Sequence, residues 1–398
     1  MTTNTPGFVG ARLTEARLAS ALSATQLAEA VGLSPQSISK YENGHQSPQL
    51  ETLHALARAL GVPPTFFLKP TFDARGEPVF WRGSLSAPAS MKARAGIRLI
   101  WMKEIVDYLS GFFDFPPLHI PRIDVPAIDR VGLDFVEEAA KETRRSWGIA
   151  AGPIADVIEK LETNGVLVSR IHVLVEKLDA FSQWPERFGI PFMVLSRDKA
   201  SACRQRFDSL HELGHMVLHR GIDPRRIEDR STYNLLERQA HLFACAMLLP
   251  EKDFLEELYS PSLDGFLALK ERWGTSVAAM IVRCKELDLL DEDQAKTMWI
   301  NYNRRGWRKG EPLDGKIEKE RPRLIRRSFE MLLEEKVQSV ADIKRALPFP
   351  VSDLEELTDL EPGTLGGVVE EKSGPVFKPQ FRADAPSNVI SIGNARRK

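Results

Sequence analysis

The segment His-Glu-Leu-Gly-His, at residues 211–215, constrains the fold of this chain more than any other feature of the sequence. Residues four apart on an α-helix lie about 40° apart around the axis, so His211 and His215 project from one face. Both imidazoles can therefore reach one metal ion, and Glu212 points to the same side, near a water at that ion. The motif also arises by chance, so an amphipathic helix without a metal remains the alternative.

A second segment, LLERQAHLFACAMLLP, supplies further candidate ligands. A catalytic zinc site needs a third protein ligand and leaves the fourth position to water. Glu237 is our first choice for that ligand and His241, one turn later, is the second. His219 is the third choice, because it lies one turn beyond His215. A supporting role that orients a ligand is the expected role of His219 or His241.

Gly214 lies inside the motif and costs a helix about 1 kcal/mol relative to alanine. Its presence predicts that another backbone packs closely against this helix.

The first 70 residues predict several short helices, two of which form a helix-turn-helix. Gly32 ends the first, and Ser34 and Pro35 fit the N-cap and first position of the second. The second helix of such a pair enters the DNA major groove. The side chains expected to reach base edges or phosphates are Gln36, Ser37, Ser39 and Lys40. A helical bundle that binds protein is the alternative, because five Lys/Arg against four Asp/Glu leave a net charge of only +1 over residues 1–70.

Composition narrows the class of protein. A chain of 398 residues is too long for one ordinary core, so two or three domains are expected. Its 3 cysteines form no CxxC pair, which disfavours a disulfide framework and fits a reducing cytoplasm. The sequence has no signal-peptide pattern and no run of 18 apolar residues, so we expect a cytoplasmic protein without a membrane partner.

The remaining segments differ in pattern. A long helix is predicted from Pro88 to about Gly111, followed by a proline-rich connector. Strands are predicted in VLVSRIHVLVE and at residues 191–196, so the middle of the chain is expected to be α+β. Residues 301–330 hold ten Lys/Arg and five Asp/Glu, a net charge of +5, and form either DNA contacts or, as is commoner, a solvated face.

Two resemblances sharpen these expectations. The stretch ARLTEARLASALSATQLAEAVGLSPQSISKYENGHQSPQLETLHALARALGVP resembles an XRE-type (lambda-repressor-like) helix-turn-helix. RQRFDSLHELGHMVLH and LERQAHLFACAMLLP resemble the ImmA/IrrE family of zinc metallopeptidases, with similarity over roughly residues 130–300. That resemblance implies Zn²⁺ as cofactor, Glu212 as the general base, and His211, His215 and Glu237 as ligands. His241 stands where the family usually has Asn or Asp.

The expected fold is therefore multidomain: an all-α helix-turn-helix bundle, an α+β zincin-like domain and a helical C-terminal region. The predicted domains are 1–70, helix-turn-helix; 71–130, helical linker with a Pro-rich connector; 131–300, ImmA/IrrE-like zinc metallopeptidase; 301–372, helical C-terminal domain with a basic segment; and 373–398, flexible tail.

The leading functional hypothesis is a DNA-binding transcriptional regulator that is also a zinc metalloendopeptidase, cleaving a specific repressor or partner protein. The partners implied are double-stranded operator DNA, that protein and a second copy of the chain in a homodimer. One alternative is a non-proteolytic regulator whose zinc domain is a sensor or dimerisation module. Another is an interaction module of a toxin–antitoxin-like or prophage pair. Glu212 favours the first hypothesis, because an inert metal site needs no base.

Two finer expectations concern the substrate. Tyr233 is a candidate to stabilise the oxyanion, with packing as the commoner role of such a residue. The strand at residues 191–196 is expected to offer a sheet edge that could bind a substrate strand through its main chain.

Overall fold

The structure, a computed structural model, describes residues 5–72, 79–81, 88–172, 180–183, 189–197, 201–220, 222–223, 226 and 229–366. Its α-helices, α1 to α16 in chain order, are Gly10–Ala19, Ala24–Val31, Pro35–Glu42, Leu50–Leu60, Ala89–Ser110, Leu133–Ser146, Val157–Thr163, Ala202–Leu218, Arg230–Leu248, Glu251–Glu257, Leu263–Trp273, Val277–Glu286, Glu292–Arg304, Leu324–Glu334, Val340–Ala346 and Val351–Thr358. Short 3₁₀ helices cover Pro64–Leu68 and Ile128–Arg130. The strands, β1 to β4 in chain order, are Val79–Trp81, Leu167–Ile171, Ala180–Gln183 and Phe192–Ser196.

The four strands form one mixed sheet that separates two hydrophobic cores. Its order is β1-β3-β4-β2, with β2 and β4 parallel and the other pairs antiparallel. Successive side chains of a strand point to opposite faces. Leu167 and Phe192 therefore enter one core, whereas Val168 and Met193 enter the other. Coverage of both faces explains why every residue of β2 and β4 is buried.

The strand order corrects one expectation. Residues 191–196 were expected to present a sheet edge, but β4 pairs with β3 on one side and with β2 on the other. Its main-chain N–H and C=O groups therefore bond within the sheet and are not available to a substrate strand. The segment Val79–Trp81 forms a strand that the sequence pattern did not predict, and it pairs with β3.

The N-terminal bundle is built by local signals and one tight helix crossing. Ser34 caps α3 by accepting a hydrogen bond from the Ser37 amide, and Pro35 occupies the first turn. A Cβ at Gly10 would lie 2.2 Å from the carbonyl oxygen of Tyr41, so only glycine permits α1 to approach α3 this closely. Both helices of the expected helix-turn-helix are thus present with the predicted turn.

Helix α5, which follows this bundle, packs against it and is not only a linker. Glu104 of α5 accepts from the buried Arg12, 3.0 Å away, and from Lys69, 2.6 Å away. Trp101 of α5 stacks on Phe349 at 4.9 Å between ring centroids. One core therefore joins buried residues of 13–109 and 325–365 to one face of β2 and β4, and the other lies within residues 131–302. The predicted domain limits stay predictions.

Four of the ten basic residues in the run at 301–330 pair with acidic residues outside the run. Its paired arginines and their partners are Arg305 with Asp264, Arg321 with Asp359, Arg323 with Asp156, and Arg327 with Glu334. These ion pairs favour the solvated-face interpretation of the run over an extended DNA contact.

Some expectations lie outside the described residues, namely the tail at 373–398 and the second half of VLVSRIHVLVE, at 173–176. Within the described ranges, none of the helices has the length and apolarity needed to cross a membrane.

Candidate metal centre

The candidate centre lies where α8, which carries residues 211–215, packs against α9. A Cβ at Gly214 would lie 3.1 Å from Cα of Ala240 and 3.2 Å from Cβ of Phe243. These distances confirm the expectation that another backbone approaches this glycine. The close approach brings Glu237 of α9 opposite the two histidines of α8.

Among the described residues, one group has the composition of a metal site: His211, His215 and Glu237. The Nε2 atoms of the two histidines are 3.1 Å apart, and the Glu237 carboxylate oxygens lie 3.5 Å from His211 Nε2 and 3.3 Å from His215 Nε2. Ligand atoms around a tetrahedral zinc ion are separated by about 3.3 Å. The three side chains thus converge at the spacing that one ion requires.

The charge of Glu237 suits this role. Burial raises the pKa of Glu237, but its contacts with the rings of His211 and His215 outweigh that effect and hold the pKa well below its usual range. Its side chain is 26% exposed, whereas those of the two histidines are buried. The carboxylate is therefore ionised and lies at the open side of the group.

A chain of hydrogen bonds behind the group fixes the tautomer of His215. The Gln239 amide donates to the carbonyls of Ile128 and Val131, at 2.8 and 3.0 Å, so its Oε1 accepts from His219 Nε2, 3.0 Å away. Burial lowers the pKa of His219 to about 3, which keeps its ring neutral.

The remaining nitrogen of His219, Nδ1, is then an acceptor, and it lies 2.9 Å from His215 Nδ1. His215 consequently carries its proton on Nδ1 and presents a bare Nε2 to the group. A neutral imidazole with this orientation is what a metal ion binds.

Glu212 lies beside the group, not in it. Its side chain is buried, and Oε2 accepts a hydrogen bond of 2.6 Å from Ser182 Oγ. Ser182 belongs to β3, so the sheet positions this carboxylate against the helix. Neither Ser182 nor Gln239 was singled out from the sequence. The amide of Gln239 within the buried stretch of α9 was a usable signal, but Ser182 had none.

The other predicted site residues have different positions. His219 lies behind His215, as a supporting residue would. His241 is half-buried outside the ligand group, with its ring centroid 4.7 Å from that of Phe207. Tyr233 is half-buried on the first turn of α9.

A cleft of about 910 Å³ is lined by His211, Glu237 and His241, so the group faces a space large enough for a peptide segment.

The four residues predicted to contact DNA lie on α3. Gln36, Ser39 and Lys40 are exposed. Ser37 is only half-exposed, and its hydroxyl lies 3.0 Å from Ser34 Oγ, at the helix cap. Three of the four side chains are thus available to a groove.

Two family models match the chain. A helix-turn-helix model matches residues 13–67, and a peptidase-family model described as an IrrE N-terminal-like domain matches residues 161–285. The second match contains His211, Glu212, His215 and Glu237. No curated protein matches the chain.

Proposed function

We propose that this chain, an XRE-type helix-turn-helix domain fused to an ImmA/IrrE-type metallopeptidase-like domain, is a transcriptional regulator that cleaves a specific repressor or partner protein in a zinc-dependent reaction. The observation that carries the proposal is the convergence of two imidazoles and a carboxylate beside a buried glutamate. A metal site without catalytic function has no use for that fourth side chain.

The donor set fits zinc. Two histidine nitrogens and one carboxylate are the protein ligands of many catalytic zinc sites, which leave one position open. His211, His215 and Glu237 would hold the ion, and Glu237 is the ligand on the exposed side. When bound, zinc lowers the pKa of a water towards 7 and polarises a carbonyl group.

The chain's own residues would transfer the protons and hold the reacting groups in position. Glu212 accepts the proton of the attacking water and delivers it to the leaving amine. Ser182 holds the Glu212 carboxylate in place through its hydroxyl, and His219 keeps Nε2 of His215 available. His241 supports the site from outside the ligand group, where it lines the cleft.

Ser182→Ala tests this division of work. The hydroxyl stabilises the ionised form of Glu212, so we expect kcat/KM to fall about tenfold and the acidic limb of its pH profile to move to higher pH. Bound zinc stays at the wild-type level, because Ser182 is not a ligand. Ser182→Thr, which retains a hydroxyl, restores the rate. If the pH profile of Ser182→Ala does not shift, the hydroxyl does not have the proposed role.

The N-terminal domain would bind operator DNA as a homodimer, through the exposed side chains Gln36, Ser39 and Lys40 of α3. We expect Gln36→Ala to cost about 1–3 kcal/mol at one base position. Lys40→Ala weakens binding to all sequences and reduces the salt slope by about 1. Fluorescence anisotropy on genomic fragments selected with the wild-type protein measures both, with Lys296→Ala as a distant control. Unchanged binding in both variants would mean that α3 contacts a protein instead.

The whole proposal is tested by comparing protein N-termini in cells that make the wild type or Glu212→Gln, with and without stress. New N-termini found only with the wild type identify the substrate together with the activity. If none appears while both proteins bind zinc and DNA, the metal domain is a sensor or dimerisation module.

A further inference from the structure

A second cavity, of about 470 Å³, adjoins the cleft at the metal centre. His241, Val282 and Trp299 line both spaces, so the two lie side by side. Phe207 lines the second cavity, and its ring lies 4.7 Å from that of His241 and 6.4 Å from that of His211. A polypeptide in the cleft could therefore place a neighbouring side chain in this cavity.

The aromatic wall of the cavity is held in place. Trp299 and Trp307 each make an edge contact with Tyr302, at 5.3 and 5.9 Å between centroids. The Tyr302 hydroxyl lies 3.0 Å from Glu311 Oε1 and 3.1 Å from the Trp307 carbonyl oxygen, so its one proton is held between these two acceptors. Arg305 lies over Trp307 at 5.0 Å. The cavity is thus formed by a fixed surface and not by loose side chains.

The two carboxylates in the lining are engaged internally. Lys270, which is fully buried, lies 2.7 Å from Glu311 and 2.6 Å from Asp314. Glu311 also accepts from the amides of Val277 and Ala278 at the start of α12. Lys270 therefore compensates one of the two negative charges, and the amide hydrogen bonds stabilise Glu311 further on the protein side of the cavity.

Two of the three basic groups in the lining are available to bind a ligand. Arg308 and Lys309 are exposed, and neither forms an ion pair within the part of the chain that the structure describes. Arg204, a third basic group in the lining, already lies 3.7 Å from Asp208. The cavity therefore combines an aromatic wall with two available cations, Arg308 and Lys309.

We propose that this cavity, the acidic-residue subsite, binds an Asp or Glu side chain of the polypeptide that occupies the metal cleft. The methylene groups of that side chain pack on Trp299 and Trp307, and its carboxylate pairs with Arg308 and Lys309. The inference rests on the proposed function, and it adds a substrate class: polypeptides with an acidic residue next to the bond that is cleaved.

Binding without cleavage tests the subsite. Zinc-loaded Glu212→Gln protein is mixed with a synthetic random decapeptide pool, and the peptides that co-elute with it are sequenced by mass spectrometry. We expect Asp and Glu to be enriched about fivefold at one position. Adding Arg308→Glu and Lys309→Glu removes this enrichment. The matched control, Lys296→Glu with Arg304→Glu, changes the charge equally on exposed positions of α13 and retains it.

The outcomes separate the two proposals. Equal enrichment in the Arg308/Lys309 variant, no enrichment, or no retained peptide overturns the subsite. Acidic enrichment that depends on Arg308 and Lys309 supports it. If the chain with Glu212 intact then fails to cleave the selected peptides, the subsite stands as a binding site and proteolysis is overturned.

Discussion

Glu212→Gln is expected to abolish cleavage and to leave zinc binding unchanged. General base catalysis contributes about 10²–10⁴-fold, and glutamine cannot accept the proton of the attacking water. The Glu212 side chain is not one of the three converging ligands, and glutamine preserves its volume in a buried position. The measurements are zinc content by plasma mass spectrometry and the cleavage rate on the substrate that the N-terminal comparison identifies.

Glu237→Gln is the matched control, because it makes the same change at a proposed ligand. It should lower the affinity for zinc, whereas Glu212→Gln should not. Loss of zinc from Glu212→Gln would make Glu212 a ligand and sink the assignment of roles. Cleavage at the wild-type rate would exclude Glu212 as the base.

Lys270→Met is expected to lower the free energy of unfolding by about 3–5 kcal/mol. Lys270 is fully buried, and its ammonium group is the shared partner of Glu311 and Asp314. Its removal leaves two carboxylates facing each other without their cation, next to the segment that forms the acidic-residue subsite. Urea unfolding followed by tryptophan fluorescence measures the change.

Lys285→Met provides the comparison for Lys270→Met. Lys285 pairs with Glu292 at 2.8 Å, but the two side chains are 47% and 84% exposed. Such a pair contributes about 1 kcal/mol or less, because water and salt screen it. Similar losses in the two variants would show that the Lys270 network does not stabilise the fold.

Local sequence patterns predicted the parts of the fold that depend on near neighbours. The second helix of the helix-turn-helix begins at Pro35 after the Ser34 cap, as those two residues predict. Periodicity likewise placed the helices around residues 211–215 and 237–241, now seen at Ala202–Leu218 and Arg230–Leu248. Gly214, inside the helix at Ala202–Leu218, predicted that this helix packs closely against a neighbouring backbone.

The sequence could not reveal pairings between distant segments. Nothing in Val79–Trp81 indicates that it pairs with Ala180–Gln183, about 100 residues away, and the pairing makes β3 an internal strand. For the same reason the helix at Ala89–Ser110 looked like a linker, although its Trp101 packs on Phe349.

What the sequence by itself determined is the set of reactive side chains, because helical spacing places His211 and His215 on one face. Only the tertiary structure decided how they are supported. Ser182 reaches Glu212 from a strand, and Gln239 fixes His219 from a neighbouring helix. Hydrogen bonds of this kind depend on the distance and orientation of groups in space, which residue spacing along one helix does not encode.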